Sequence, residues 1–241
     1  MKKESRMNVI CAVDIETTGL DPFWDEILQL AIVPLDLRNS QVLPDDVREL
    51  RSPLNIRIKA LNPERMSGEA RKITGLDPRK GLSALDAKKA VSDWLRGNDI
   101  DKIIPVGHNY TKFDGPFLRN SQVLNYDEAF SHHELDTLII ARFANLLHES
   151  RLQRDKFRTC PALGGKGQTC LLELPSRRLF PSLKLMNLAA ELGILSRSGH
   201  DSQTGACPKP HDALSDATIA GEIFFKLLEL FDFKEGNPWK T

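Results

Sequence analysis

Long apolar runs are missing from this 241-residue sequence. None approaches the roughly 20 residues that a bilayer-spanning helix needs. The N-terminal Met1-Lys2-Lys3-Glu4-Ser5-Arg6 is charged, and the apolar run after it, Val9 to Val13, is too short for a secretory h-region and ends in Asp14. This pattern predicts a cytoplasmic protein with no membrane partner. Cysteine is scarce: Cys11, Cys160, Cys170 and Cys207 are few and unevenly spaced, which argues against a disulfide framework. Net charge is absent too, since 33 Lys and Arg balance 33 Asp and Glu. That argues against a bulk polycation but leaves room for a local basic surface. There is no internal repeat. Gly164 to Thr169 is not a P-loop, because the required first glycine falls at Cys160 and no Ser or Thr follows Lys166. Cys160, Cys170, Cys207 and His200 match no usual zinc spacing.

Against these absences, 41% hydrophobic and 27% charged residues describe an ordinary globular chain. It is long enough for one domain, read here as residues 7–231. Val9 to Val13 continues into a buried strand over 7–15. Glu26 to Leu37 reads as a second strand, joined by a short turn that favours antiparallel pairing. A weaker third strand falls near Val47 to Leu50. Helices are expected over Pro63 to Ile73, Leu82 to Leu95, near Asp114, over Leu138 to Leu147, Ser182 to Leu192 and Asp212 to Leu230. Ile103 to Gly107 is a buried strand with an awkward proline. Residues at about 150–181 lack periodicity and are rich in Arg, Lys, Gly and Pro, so they read as a basic irregular insertion. Arg151, Arg154, Lys156 and Arg158 there suit a nucleic-acid arm. The whole predicts an α/β fold with a mixed sheet flanked by helices.

Acidic residues supply the chemistry. Asp14 and Glu16 share one face of the first strand, while Val13 and Ile15 face a core on the other. Side-by-side acids repel unless a cation lies between them, and divalent metal is the usual solution. A strand end with exposed acids beside a Gly19 turn has the same pattern. Asp114 follows a strand and opens a helix, with Thr111 three residues before it as in a capping box. As a helix N-terminal acid it would also stabilise that helix without any other role. His211 and Asp216, five apart, cooperate only if His211 lies on the loop ahead of a helix capped by Asp212. The small residues Ala213, Ala217, Ala220 and Gly221 would let that helix approach the sheet.

Asp-x-Glu, an Asp after Asn-x-x-x-Phe, and His-x-x-x-x-Asp, in that order, resemble the DEDDh 3′–5′ exonuclease superfamily. It includes the proofreading subunit of bacterial replicative polymerase, ribonuclease T and the three-prime repair exonucleases. Asp136-Thr137 and Ser182 to Leu185 match its intervening segments. The resemblance implies a ribonuclease H-like fold with a mixed five-stranded sheet. It implies that Asp14, Glu16, Asp114 and Asp216 bind two divalent cations, Mg²⁺ or Mn²⁺, with His211 as general base. It further implies that Thr17, Thr18 and Leu20 meet the 3′-terminal nucleotide. Asn109 and Phe113 are additional substrate candidates, although turn formation and core packing explain them equally simply. The implied activity is hydrolysis of single-stranded or frayed 3′ ends, DNA before RNA, releasing nucleoside 5′-monophosphates. A DNA polymerase is the implied protein partner. An RNA-trimming exoribonuclease and a non-catalytic nucleic-acid or polymerase-binding module are the alternatives.

Overall fold

A computed structural model of the chain describes residues 6–36, 41–42, 51–159, 178–195 and 211–231. Its strands are β1 (Met7–Thr17), β2 (Ile27–Asp36), β3 (Gln41–Val42), β4 (Leu54–Arg57), β5 (Ile100–Gly107) and β6 (Leu135–Asp136). Central β1 pairs antiparallel with β2 and parallel with β5, and β5 pairs parallel with β6. Both β3 and β4 lie antiparallel to β2. Because β1 runs along the other edge of β2, β3 and β4 share one lane, and the six strands make a mixed sheet five lanes wide. The helices are α1 (Gly68–Thr74), α2 (Ala84–Gly97), α3 (Asp114–Asn120), α4 (Tyr126–Ala129), α5 (Thr137–Thr159), α6 (Leu185–Glu191) and α7 (Ala213–Leu230). Among the described residues no helix is long and apolar enough to cross a membrane.

Strand alternation divides β1 between two cores. Cys11, Val13 and Ile15 pack with Val91, Phe117, Leu118 and Phe130 on one face. Ala12 packs with Ala31, Val33, Ala217 and Phe224 on the other, beneath α7. Every residue of β2 is buried because helical layers cover both its faces. On α7, the small residues Ala213, Ala217, Ala220 and Gly221 are all buried, so the helix lies close against the sheet. Asp212 is its N-cap, as the sequence predicts.

Several local expectations are corrected. The helix expected from Pro63 splits into a single 3₁₀ turn, Pro63–Arg65, and α1. Ser67 starts the new helix: its side chain accepts from the Ala70 N–H, and its own N–H is drawn to the Thr18 carbonyl at 3.0 Å. The strand expected near Val47 lies outside the described residues. Thr111 does not cap α3; its hydroxyl donates to Asp136 Oδ2 at 2.9 Å instead. The insertion is not irregular from its start, since α5 continues to Thr159. Its Arg, Lys, Gln and Leu favour helix without an apolar stripe, so periodicity could not reveal it. Residues 178–184 are anchored too: Phe180 is buried, and both its backbone groups hydrogen-bond the Asn145 side chain. The zinc candidates Cys160, Cys170, Cys207 and His200 lie outside the described residues. Pro105 is tolerated in β5 because Ile103 bonds Ser131 on the far side and β6 begins only opposite Val106. Its missing N–H falls in that gap.

Candidate active site

Asp14 and Glu16 lie on the α7 face of β1. The ladder between β1 and β5 ends at the Ala12–Val106 pair, so β1 continues beyond it with an open edge. There the Ile15 N–H donates to Asp114 Oδ1 at 3.2 Å. The first residue of α3 therefore occupies the place of a missing strand partner, and its carboxyl is buried at 3% exposure.

Asp136, at the end of β6, organises the turn that delivers Asp114. Its Oδ1 accepts from the Asn109 and Leu138 N–H groups at 3.1 and 3.0 Å. Its Oδ2 accepts from the Thr111 N–H at 3.1 Å as well as from the Thr111 hydroxyl. Asn109 holds a left-handed φ of 69°, which Asn tolerates better than most residues. Asp136→Ala should strip this turn of its acceptor and cost at least about 3 kcal/mol, because several buried donors lose their partner together. Urea unfolding measures that loss.

Asp216 and His211 come from the entrance of α7. Asp212 Oδ2 accepts from the Ser215 N–H at 3.4 Å, and its Oδ1 accepts from Gln29 Nε2 at 3.0 Å. Gln29 also donates to Asn55 Oδ1 at 2.9 Å, so the buried β2 strand fixes where the helix begins. His211, exposed and left-handed at φ 59°, donates its backbone N–H to Asp216 Oδ2 at 3.2 Å. Ligand atoms of Glu16, His211 and Asp216 all lie within 4.8 Å of one another. Asp14 and Asp114 stand outside that tightest group but interact electrostatically with it.

Burial, with crowding, raises the carboxyls of Asp14, Glu16, Asp114 and Asp216. Burial lifts Asp14 well above the usual carboxylate range, reinforced by Asp114, Asp216 and Glu16. Burial, then Asp216 and Asp114, lifts Glu16 to about 8. Burial lifts Asp114 to about 7 against the lowering effect of hydrogen bonds from its own N–H and that of Ile15. Burial lifts Asp216 to about 6, opposed by the His211 N–H and ring. Such a cluster resists full ionisation unless cations join it. Asp216 Oδ1 is buried and has no hydrogen-bond partner. Oxygen donors, crowded charge and this orphaned acceptor all fit a hard divalent cation.

A cleft of about 500 Å³ opens over the acids. Thr17, Leu20, Asn109 and Phe113 line it with Asp14, Glu16, Asp114, His211 and Asp216. Leu20 is 80% exposed at this cleft, which removes core packing as its explanation. Phe113 lines the cleft and also packs against the core, its ring tilted against that of Phe117 at 5.1 Å. Thr17 is buried and donates its hydroxyl to the Gly19 carbonyl at 2.5 Å. Thr18 does not line the cleft. Its N–H donates to the Glu26 carbonyl, its carbonyl accepts from Ser67, and its hydroxyl bonds Asp25 and the Glu26 N–H. Gly19 is required by space: a Cβ there would lie 2.3 Å from an Asp25 carboxyl oxygen.

Sequence reading missed two parts of this site. Ala70, Ile73 and Thr74 of α1 form a wall of the cleft, signalled only by an apolar Ile73 left 45% exposed. His108 also lines it, with Nδ1 2.9 Å from Thr137 Oγ1 and Nε2 2.8 Å from the Leu183 carbonyl. Burial lowers its pKa, and because the Leu183 carbonyl can only accept, Nε2 carries a proton. With both nitrogens engaged, His108 ties β5 to the segment before α6.

A family model described as Exonuclease matches residues 11–168. The chain belongs to this exonuclease family. Exonucleases of this family use divalent metal ions. The chain is 28% identical over 141 residues to the PolC-type DNA polymerase III of Ureaplasma parvum serovar 3, covering 58% of this chain and 9% of that protein. It is 29% identical over 126 residues to ribonuclease T of Buchnera aphidicola subsp. Baizongia pistaciae, covering 49% and 55%. It therefore spans only part of the length of the curated relatives it matches. Among solved structures it resembles E. coli Exonuclease I in complex with a dT13 oligonucleotide, with a TM-score of 0.53 and 22% identity over 94% of this chain and 43% of that one. A moderately thermophilic Exonuclease I from Methylocaldum szegediense matches with a TM-score of 0.53 and 20% identity, covering 91% and 40%. These likenesses identify the exonuclease fold as ribonuclease H-like.

Proposed function

We propose that this chain is a metal-dependent 3′–5′ exonuclease acting on single-stranded or frayed nucleic acid and releasing nucleoside 5′-monophosphates. One observation carries the reading: four carboxylates from three distant segments line one open cleft together with His211. Asp14, Glu16, Asp114 and Asp216 would hold two Mg²⁺ or Mn²⁺ ions. When bound, such ions supply Lewis-acid stabilisation of a phosphodiester and lower the pKa of an attacking water. His211 would accept the proton from that water as general base. Its exposed position at the cleft leaves its ring free to approach substrate, whereas His108 is held by two hydrogen bonds. Leu20 and Phe113 would contact the terminal base, Thr17 would face the 3′ end, and Asn109 would line the route in.

DNA is the first substrate of this reading, supported by the PolC-type relative, and association with a DNA polymerase goes with it. RNA is the second, supported by the relative named ribonuclease T. A comparison of 5′-labelled DNA and RNA strands, single and duplex, with Mg²⁺, Mn²⁺ or EDTA, separates them. The expected result is a ladder that shortens from the 3′ end only with metal. Absence of cleavage on every substrate would leave the non-catalytic binding module as the better account.

A further inference from the structure

The turn between β1 and β2 carries two aromatic rings that the core does not use. Phe23 is 78% exposed and Trp24 is 68% exposed. The turn beneath them is firmly built. The Asp21 carbonyl accepts the Trp24 and Asp25 N–H groups at 3.1 and 2.8 Å. Asp21 Oδ1 accepts from the Phe23 N–H at 2.9 Å, and Asp25 Oδ2 accepts from the Asp21 N–H at 3.0 Å. The rings are thus held out in water by a pre-organised backbone. Exposed apolar surface of this kind marks an interaction site.

Charge identifies the partner. Trp24 and Phe23 border a cavity of about 220 Å³. The acids around it are occupied: Asp25 by Thr18 and Asp21, and Glu26 by the Leu61 and Asn62 N–H groups. The bases are available, since neither Lys59 nor Arg65 forms an ion pair among the described residues. The Arg65 guanidinium lies 5.9 Å from the Trp24 ring centre. An aromatic face beside unpaired cations suits an unpaired nucleobase and its phosphate. Position agrees with charge. Asp25 lines both this cavity and the acidic cleft, and the neighbouring Phe113 and Phe117 rings line one each. A strand leaving the cleft past Asp25 would meet this surface next.

We infer that Phe23, Trp24 and Arg65 form a second base-binding platform, which stacks an unpaired base upstream of the 3′-terminal nucleotide. This rests on the exonuclease reading of the neighbouring cleft. The platform makes affinity depend on strand length and on the absence of pairing, because a duplexed base has no free face to offer.

The test measures affinity with Ca²⁺ in place of Mg²⁺, on a dinucleotide and on single strands about 10 nucleotides long, a length suited to groove binders. Deoxy and ribo forms are used, beside a duplex. Trp24→Ala should weaken the long single strand about tenfold, the loss of one stacked base, while the dinucleotide and duplex change less than about twofold. Trp24→Phe should retain most of the affinity yet lose the quenching of tryptophan emission by the strand. Arg65→Gln should flatten the salt dependence of long-strand binding. Equal affinities for wild type and Trp24→Ala at every length would overturn the platform. So would equal losses on all ligands, or a change in sedimentation alone, which would make the patch a protein-docking surface. Hydrolysis of p-nitrophenyl thymidine 5′-monophosphate with Mn²⁺, a substrate confined to the cleft, reports the exonuclease reading separately.

Discussion

Asp14→Asn is expected to lose activity and gain stability in the same molecule. The carboxyl is one of four facing a shared space, and burial among like charges already pushes its pKa well up. The neutral amide relieves that repulsion and keeps the shape. Without metal, unfolding free energy should rise by about 1 kcal/mol, the scale of a single relieved unfavourable charge. For a chain of this size that is roughly 2–4 °C in Tm. Activity should move the opposite way. A metal ligand contributes several kcal/mol to the transition state, so kcat/KM on a single strand should fall at least about 10³-fold. Differential scanning calorimetry in EDTA and a 3′-end degradation assay read the two effects. A variant that is both inactive and less stable would argue that Asp14 serves the fold rather than a metal.

The second large effect is a pH dependence that reverses on adding metal. Glu16, Asp114 and Asp216 titrate near 8, 7 and 6 in the folded chain, all above ordinary carboxylates. Between about 4 and 8 the folded state therefore holds more protons than the unfolded state. Stability is greatest below the unfolded values and declines as pH rises through the folded ones. A carboxyl that binds its proton tenfold more tightly when folded is worth about 1.4 kcal/mol, so the metal-free chain should lose a few kcal/mol across that window. Metal competes with these protons for the same oxygens. Mg²⁺ or Mn²⁺ should raise Tm strongly at pH 8 and hardly at pH 5. A metal-free Tm that climbs from pH 5 to pH 8 would contradict the crowded-carboxylate account.

The parts of the fold with strong periodicity were legible in the sequence. The alternation around Asp14 and Glu16 placed both acids on one face and Val13 and Ile15 in a core, because strand geometry permits nothing else. The small-residue stripe of α7 and its Asp212 cap placed His211 on the preceding turn, as observed. Long-range competition hid the rest. Thr111 is three residues before Asp114 and looks like its cap, but Asp136, 25 positions away, takes its hydroxyl. Thr18 follows the acidic pair and looks like a substrate contact, but Asp25, Glu26 and Ser67 absorb its polar groups. Gln29 sits in an otherwise apolar buried strand, and its role depends on Asp212, 183 positions on.

The hydrogen bond from Ile15 to Asp114 has a consequence for how this molecule can change over time. A side chain proposed to hold metal usually stands on a scaffold that can be altered beneath it. Here the acid completes the scaffold, finishing the edge of β1 where β5 stops. Lengthening β5 by one residue would evict Asp114 from that edge, and shortening it would pull the carboxyl out of reach. Insertions and deletions should therefore be excluded from the end of β5, even where they spare every candidate metal ligand. Architecture and chemistry are interlocked at this point, and neither can drift without the other.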